Sequence, residues 1–220
     1  NSELEYLHAP YGFDFNEQIS SAYFRVNKPL KSILSFWAAG MRIEQRNTST
    51  GVYDIELPDS HQHADTSNVF VALIDSSIAN SPPAQKVLYL YPELKTGFTS
   101  MDKKLSIIMK YGRRINRVKL AMANPFPVSM IDEYHVRKGN PFLKPELVDI
   151  YQISFSFRLN TKQHPMFTGN IVYKDIQDLI QWHDVDFVTI NEQSFEILTA
   201  GNVASGKSVG YDFALSLSPT

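Results

Sequence analysis

The chain has 220 residues, 43% hydrophobic and 20% charged, with a formal net charge of −2 and no cysteine. Such a composition supports a sizeable folded domain and is not that of a disordered chain. Near-neutral charge argues against a nucleic-acid partner, whose phosphates would have to be neutralised, and the lack of Cys excludes disulfides and thiolate metal sites.

No run of 18 apolar residues exists, so no transmembrane helix is expected, and Asn1-Ser2-Glu3-Leu4-Glu5 has no signal-peptide character. A strand crosses a membrane on about ten residues with apolar side chains at every second position, so low hydropathy does not argue against a barrel.

Residues 1–17 are aromatic-rich but irregular and read as the tail of a preceding strand or loop. A first strand is placed at 18–26, its two-residue period ambiguous between Ile19/Ser21/Tyr23 and Ala22/Phe24/Val26. A short turn follows near 27–32, where Pro29 fixes φ and removes a donor. The second strand, 33–45, sets Trp37, Ala39, Met41 and Ile43 against Gly40, Arg42 and Glu44, because side chains alternate across a strand. A long loop near 46–86 comes next, of a length that compact soluble domains rarely keep without a use. The third strand, 87–99, opposes Leu90, Leu94 and Phe98 to Glu93, Lys95 and Gly97. A tight turn at 100–103 leads into the fourth, 104–113, with Leu105, Ile107, Met109 and Tyr111 on one side and Ser106, Lys110 and Gly112 on the other.

A second long loop is read near 115–146. In the fifth strand Tyr151, Ile153, Phe155, Phe157 and Leu159 alternate with Gln152, Ser154, Ser156 and Arg158. After a short turn near 160–163, a sixth strand begins near Met166, shows Phe167, Ile171 and Tyr173 on one face, and runs on to Trp182. A medium loop is placed near 183–192. In the last strand Val209, Tyr211, Phe213, Leu215 and Leu217 face away from Asp212, Ala214, Ser216 and Ser218.

The connections therefore run short, long, short, long, short, medium, the asymmetry of a transmembrane barrel with tight turns at one rim and long loops at the other. The predicted fold class is all-β, an antiparallel β-meander of roughly seven strands belonging to a larger transmembrane β-barrel, since such barrels close with about eight strands or more. An open sheet cannot leave bare edges in lipid, so residues 1–220 are expected to form one partial barrel domain. The alternative is a soluble or secreted β-sandwich that binds a ligand and has no transport role. Tyr89, Tyr91, Tyr111, Tyr151, Phe157 and Trp182, near strand ends, would suit membrane-interface girdles and favour the barrel.

Tyr111-Gly112-Arg113-Arg114-Ile115-Asn116-Arg117, Asn124-Pro125-Phe126 and Gly139-Asn140-Pro141-Phe142-Leu143-Lys144-Pro145-Glu146 together closely resemble the barrel of TonB-dependent outer-membrane receptors of the type found in Bacteroidetes. Ala39-Gly40-Met41-Arg42-Ile43-Glu44 and Gly206-Lys207-Ser208-Val209-Gly210-Tyr211-Asp212 resemble two further strands of that family, the second departing where Tyr211 and Asp212 replace an aliphatic residue and Glu. The resemblance implies a location in the bacterial outer membrane, outer-membrane lipid around the barrel, and energised uptake of a siderophore, oligosaccharide or peptide. It implies coupling to the TonB energy-transducing complex through a plug not seen in this chain, and a surface lipoprotein as a partner. In that scheme Arg42, Glu44, Lys110, Gln152, Arg158, Lys174 and Asp212 line the lumen. Phe126, Tyr134, His135, Arg137 and Phe142, in a surface loop, are the candidates for ligand contact.

Other patterns carry less. Gly201-Asn202-Val203-Ala204-Ser205-Gly206-Lys207-Ser208 fits the phosphate-loop spacing, but that site needs a helix after it and a strand is expected here. His61-Gln62-His63-Ala64-Asp65 offers two imidazoles and a carboxylate, yet Thr66 and the lack of downstream ligands favour a solvated loop. Arg113, Arg114 and Arg117 are read as pairing with carboxylates of neighbouring strands or with lipid headgroups rather than as an anion site. No nucleophile elbow or triad spacing is present, so no catalytic residue, metal or cofactor is expected.

Overall fold

In a computed structural model of the chain, the residues described are 11–30, 34–54, 85–125, 127–129, 135–159, 165–190 and 192–217. They form β1 (Tyr11–Pro29), β2 (Leu34–Asp54), β3 (Gln85–Thr99), β4 (Leu105–Asn116), a single-turn helix α1 (Leu120–Ala123), β5 (Pro127–Ser129), β6 (His135–Lys138), β7 (Glu146–Arg158), β8 (Met166–Gln177), β9 (Ile180–Ile190), β10 (Gln193–Asn202) and β11 (Ser205–Ser216). Seven strands make one sheet in the order β1-β2-β3-β4-β7-β8-β11, and the other four make a second in the order β5-β6-β10-β9. Every pairing in the large sheet is antiparallel. It is therefore the expected meander, with β1 and β11 at its edges among the described residues.

Register explains why this sequence makes such a wall. Residues opposite each other in an antiparallel pair share a face, and the alternating apolar residues fall into rows across four strands. Met109, Ile153, Ile171 and Tyr211 form one row; Ile107, Phe155, Gly169 and Phe213 the next; Leu105, Phe157, Phe167 and Leu215 a third. Among the described residues no other sheet packs on this face: Leu94, Met109, Ile153, Phe213 and Leu215 are all exposed. A sandwich core would bury them, so the sandwich alternative fails on this point. Tyr111, Tyr151 and Tyr173 lie in a row bordering the band, their rings 5.0 and 5.9 Å apart in sequence. The row beyond is charged, Arg113, Asp149, Asp175 and Lys207. From that row to the far end of β8 is nine residues, about 31 Å of strand at ~3.4 Å each. At a tilt of about 40° that spans about 23 Å, close to the ~25 Å apolar band of a membrane barrel.

Several sequence expectations are corrected. Strand β1 begins at Tyr11, and β2 runs to Asp54 through Asn47-Thr48-Ser49-Thr50, which read as loop. Backbone pairing between Tyr11 and Asp54 onward needs no apolar alternation, and outside a lipid band nothing selects for it. Of the 46–86 loop, 46–54 and Gln85–Lys86 are strand and 55–84 lie outside the described residues. The 115–146 loop contains the ends of β4 and β7, α1, β5 and β6. The sixth strand stops at Gln177, because Asp178 takes a left-handed backbone (φ 54°) that turns the chain out of the sheet. Trp182 and the expected 183–192 loop then belong to the β9–β10 hairpin. The expected turn at 160–163 and the His61/His63/Asp65 group lie outside the described residues. Tyr89 and Tyr91 pair with Glu44 and Arg42 on the polar face, so they join no outward girdle, and Trp182 lies in the smaller sheet.

Candidate functional site

Two surfaces carry polar chemistry: the face of the wall opposite the apolar band, and the smaller sheet at the end where the long connections lie. On the first, register places all seven residues expected to line a lumen. Lys110 pairs with Gln152, Arg158 with Met166, Lys174 with Ile150, Asp212 with Asn170, and Arg42 and Glu44 with Tyr91 and Tyr89. Stepping across the pairings puts every one of them on the same face.

Part of that face is a charge network. Glu44 is fully buried and accepts from Arg42 Nη2 at 2.7 Å and from Arg117 Nη2 at 2.9 Å. A buried carboxylate without such partners would be strongly unfavourable. Arg46 donates to Glu17 on β1, and Arg117 Nε reaches the same carboxylate at 3.9 Å. Arg42 also lies over the Tyr91 ring, 5.8 Å from its centre. Arg117, just beyond β4, thereby ties the segment leading into α1 to β1 and β2. Further round the wall, Gln152 Nε2 donates to Asn170 Oδ1 at 2.7 Å, Ser154 Oγ donates to the same oxygen at 2.9 Å, and Asn170 Nδ2 donates to Asp212 at 3.0 Å. The polar face is thus self-satisfied across β7, β8 and β11.

Of the three arginines, Arg113 faces the other way. It forms a bidentate pair with Asp149, at 2.9 and 2.7 Å, and Tyr111 Oη donates to the same carboxylate at 2.9 Å. Arg113 therefore answers a carboxylate of the neighbouring strand, as expected, whereas Arg117 reaches past β3 to carboxylates of β1 and β2; Arg114 is exposed on the polar face.

At the loop end, the smaller sheet joins two separate connections, because β6 from one pairs in parallel with β10 from the other. Val136, Phe195 and Ile197 are buried together on one side, with Val188 against them. The opposite side presents His135 and Arg137, with Glu196 in register with His135. His135 Nε2 is 3.5 Å from Glu196 Oε2, and the Arg137 guanidinium sits 4.8 Å from the centre of the Trp182 ring. Two of the five candidate ligand residues are thus brought onto one face, joined by Trp182, which the sequence suggested only for a membrane girdle, and by Glu196, which it did not single out. Phe142 is exposed in the turn between β6 and β7, outside the sheet, and Phe126 and Tyr134 lie outside the described residues. Burial pushes the Lys138 ammonium below the ordinary lysine range.

The sequence motifs prove to be the foundations of this sheet. Asn140 N–H donates to Met122 O at 2.7 Å, and Asn140 Oδ1 accepts from Phe142 N at 2.9 Å. At Gly139 a Cβ would overlap the Asn124 carbonyl, so glycine is needed for the chain to pass so close. Asn202 grips the Lys144 backbone at both N and O, each at 2.8 Å, and donates to Asp178 O at 2.7 Å. Glu146 accepts from Ile180 N at 2.8 Å and from Asn116 at 2.9 Å. The phosphate-loop pattern is divided between the end of β10 and the start of β11 with no helix after it, so it cradles no phosphate. Among the described residues no group of three His, Asp or Glu could hold a metal ion.

A family model described as "Outer membrane protein beta-barrel family" matches residues 9–220. No curated protein matches the sequence. Among solved structures, a double mutant of the Serratia marcescens hemophore receptor HasR in complex with its hemophore HasA and heme is similar, with a TM-score of 0.60 at 12% identity over 92% of this chain and 32% of that one. The Pseudomonas aeruginosa siderophore receptor PirA gives a TM-score of 0.50 at 13% identity over 91% of this chain and 40% of that one. The chain spans between about a third and two fifths of the length of these structures. Identities this low establish likeness of fold.

Proposed function

This chain belongs to the outer membrane protein β-barrel family of the bacterial outer membrane, and from that membership we propose that it forms one arc of a TonB-dependent receptor that takes up a scarce nutrient. The observation that carries the reading is the wall itself: one exposed apolar face, one polar face, and the long connections folded together at one end. Bare strand edges are not tolerated in lipid, so β1 and β11 would be continued by further strands of a complete barrel. Seven strands are about a third of the ~22 in plugged outer-membrane transporters. The polar face would line the lumen, and the smaller sheet would stand at the cell surface, where His135, Arg137, Trp182 and Glu196 meet incoming ligand. An iron carrier, heme or a siderophore, is the first substrate to test, because that is what the two similar receptors are named for; an oligosaccharide or peptide comes next. TonB coupling and a surface lipoprotein partner belong to the same proposal.

The test uses the full-length protein in its own cells. Epitope tags at Ser60 and Ile131 should be reached by antibody on intact cells. Uptake of labelled heme or ferric siderophore should require the protein and stop when the proton-motive force is dissipated. Tags reached only after permeabilisation would reverse the assigned orientation. Uptake insensitive to the proton-motive force would remove the TonB-dependent transport role.

A further inference from the structure

On the polar face, register sets Lys95 of β3 directly opposite Lys110 of β4. Like charges directly opposite on one face destabilise a sheet. Elsewhere on this face positive charges are answered by negative ones, though not directly across a strand pair, with Glu44 and Glu17 meeting Arg42, Arg46 and Arg117. The two lysines have no ion pair with any described residue. Glu93, two residues from Lys95 and opposite Gly112, accepts instead from Tyr23 at 3.3 Å.

Lys95 is nevertheless held in place. Its Nζ lies 5.3 Å from the centre of the Phe36 ring, and that ring lies across Gly97, where a Cβ would overlap it. Gly97 therefore lets Phe36 lie flat, and the flat ring fixes the ammonium by a cation–π contact. Thr96 Oγ1 donates to the Phe36 carbonyl at 3.1 Å and anchors the backbone there. A repelling pair, one member of it braced, is an arrangement suited to a bound counter-charge.

We propose that Lys95 and Lys110 form a two-pronged seat for an oxyanion, a carboxylate or phosphate group, on the lumen side of the wall. The proposal rests on reading that face as the lumen. Cross-strand partners have Cβ atoms about 5 Å apart, so the swinging Lys110 side chain can bring its ammonium to an anion seated on the braced Lys95, with charge-assisted hydrogen bonds from both. The anion is an acidic side chain of a segment lying in the lumen of the intact protein, or a small soluble anion.

Isolated outer membranes holding the full-length protein separate these sources. A water-soluble carbodiimide, which joins an amine directly to a carboxyl group, is followed by peptide mass spectrometry. Acetylation by a hydrophilic reagent is then compared at Lys95, Lys110 and the turn residue Lys103, with and without inorganic phosphate. A cross-link from Lys95 or Lys110 to an Asp or Glu elsewhere in the protein establishes the side-chain source. No cross-link, but several-fold slower acetylation of both lysines in phosphate, lost at Lys95 in Lys110→Gln, establishes the soluble source. Acetylation of both as fast as Lys103 under all conditions overturns the seat and leaves the lumen reading standing. Protection from the hydrophilic reagent together with modification by a membrane-partitioning one overturns both.

Discussion

At the scale of single residues, two contacts test how the wall is built. Gly97→Val would drive branched carbons into the Phe36 ring and displace the support of Lys95. Overpacking of this kind costs about 1–3 kcal/mol, read as a lower urea midpoint of the protein folded in lipid vesicles. Phe36→Ala in the same chain should recover most of that loss, which a general intolerance of valine at this position would not. Asp149 is 6% exposed and holds both arms of Arg113 as well as the Tyr111 hydroxyl. Asp149→Asn removes the charge that Arg113 answers and should cost about 1.5–3 kcal/mol. Arg113→Lys should also lose stability, because an ammonium cannot make the two-armed contact. The same denaturation midpoint checks both.

At the scale of elements, the β3–β4 turn and the foundations of the smaller sheet are separable units. In the turn, the Ser100 hydroxyl and then the Lys104 backbone N–H hold the Asp102 carboxyl below the usual carboxylate range. A depressed folded pKa means that the stabilisation is present above the unfolded value, about 3.9, and is lost as pH falls through the folded one. Protection of the Leu105 amide from hydrogen exchange, which depends on Ser100 Oγ at 3.0 Å, should therefore weaken in acid for the native protein. It should change much less in Asp102→Asn. Lys138 acts in the opposite sense: its depressed pKa disfavours folding while it is charged, and the penalty fades as pH rises toward the ordinary lysine value. Asn202→Ala cuts the bonds to Lys144 and Asp178. The expected result is rapid proteolysis within 180–202 while the large sheet stays intact; unchanged resistance would show that the sheet is held by its own pairing.

At the scale of the whole molecule, the two faces of the wall should respond to charge in different ways. Ile153→Arg places a cation within the apolar band and should cost about 2–4 kcal/mol in a bilayer, whereas Ser156→Arg on the polar face should be close to neutral. Equal costs would mean that the faces have been assigned to the wrong solvents. Unfolding of the intact barrel in vesicles by urea measures both. The contrast comes from solvent rather than from secondary structure, since both residues belong to β7 and have the same backbone pairing.

Period-two alternation located the seven wall strands and sorted the faces of all but the first, whose period stayed ambiguous until its register with β2 was seen. Ile153 against Gln152, or Phe213 against Asp212, can be sorted by face from sequence because lipid selects one side and water the other. The motif residues marked the right places too, although their use, Gly139 against Asn124 and Asn202 against Lys144, appears only in three dimensions. The same alternation could not find the pairing of Tyr11 with Asp54, the four strands of the smaller sheet, or the meeting of His135 with Glu196 and of Arg137 with Trp182. Outside the apolar band, strands are held by backbone hydrogen bonds between segments far apart in the chain, and those leave no periodic mark on side chains. Tertiary structure alone decided which connections fold onto each other, and it alone set Lys95 opposite Lys110, because register between strands belongs to the pair and not to either sequence.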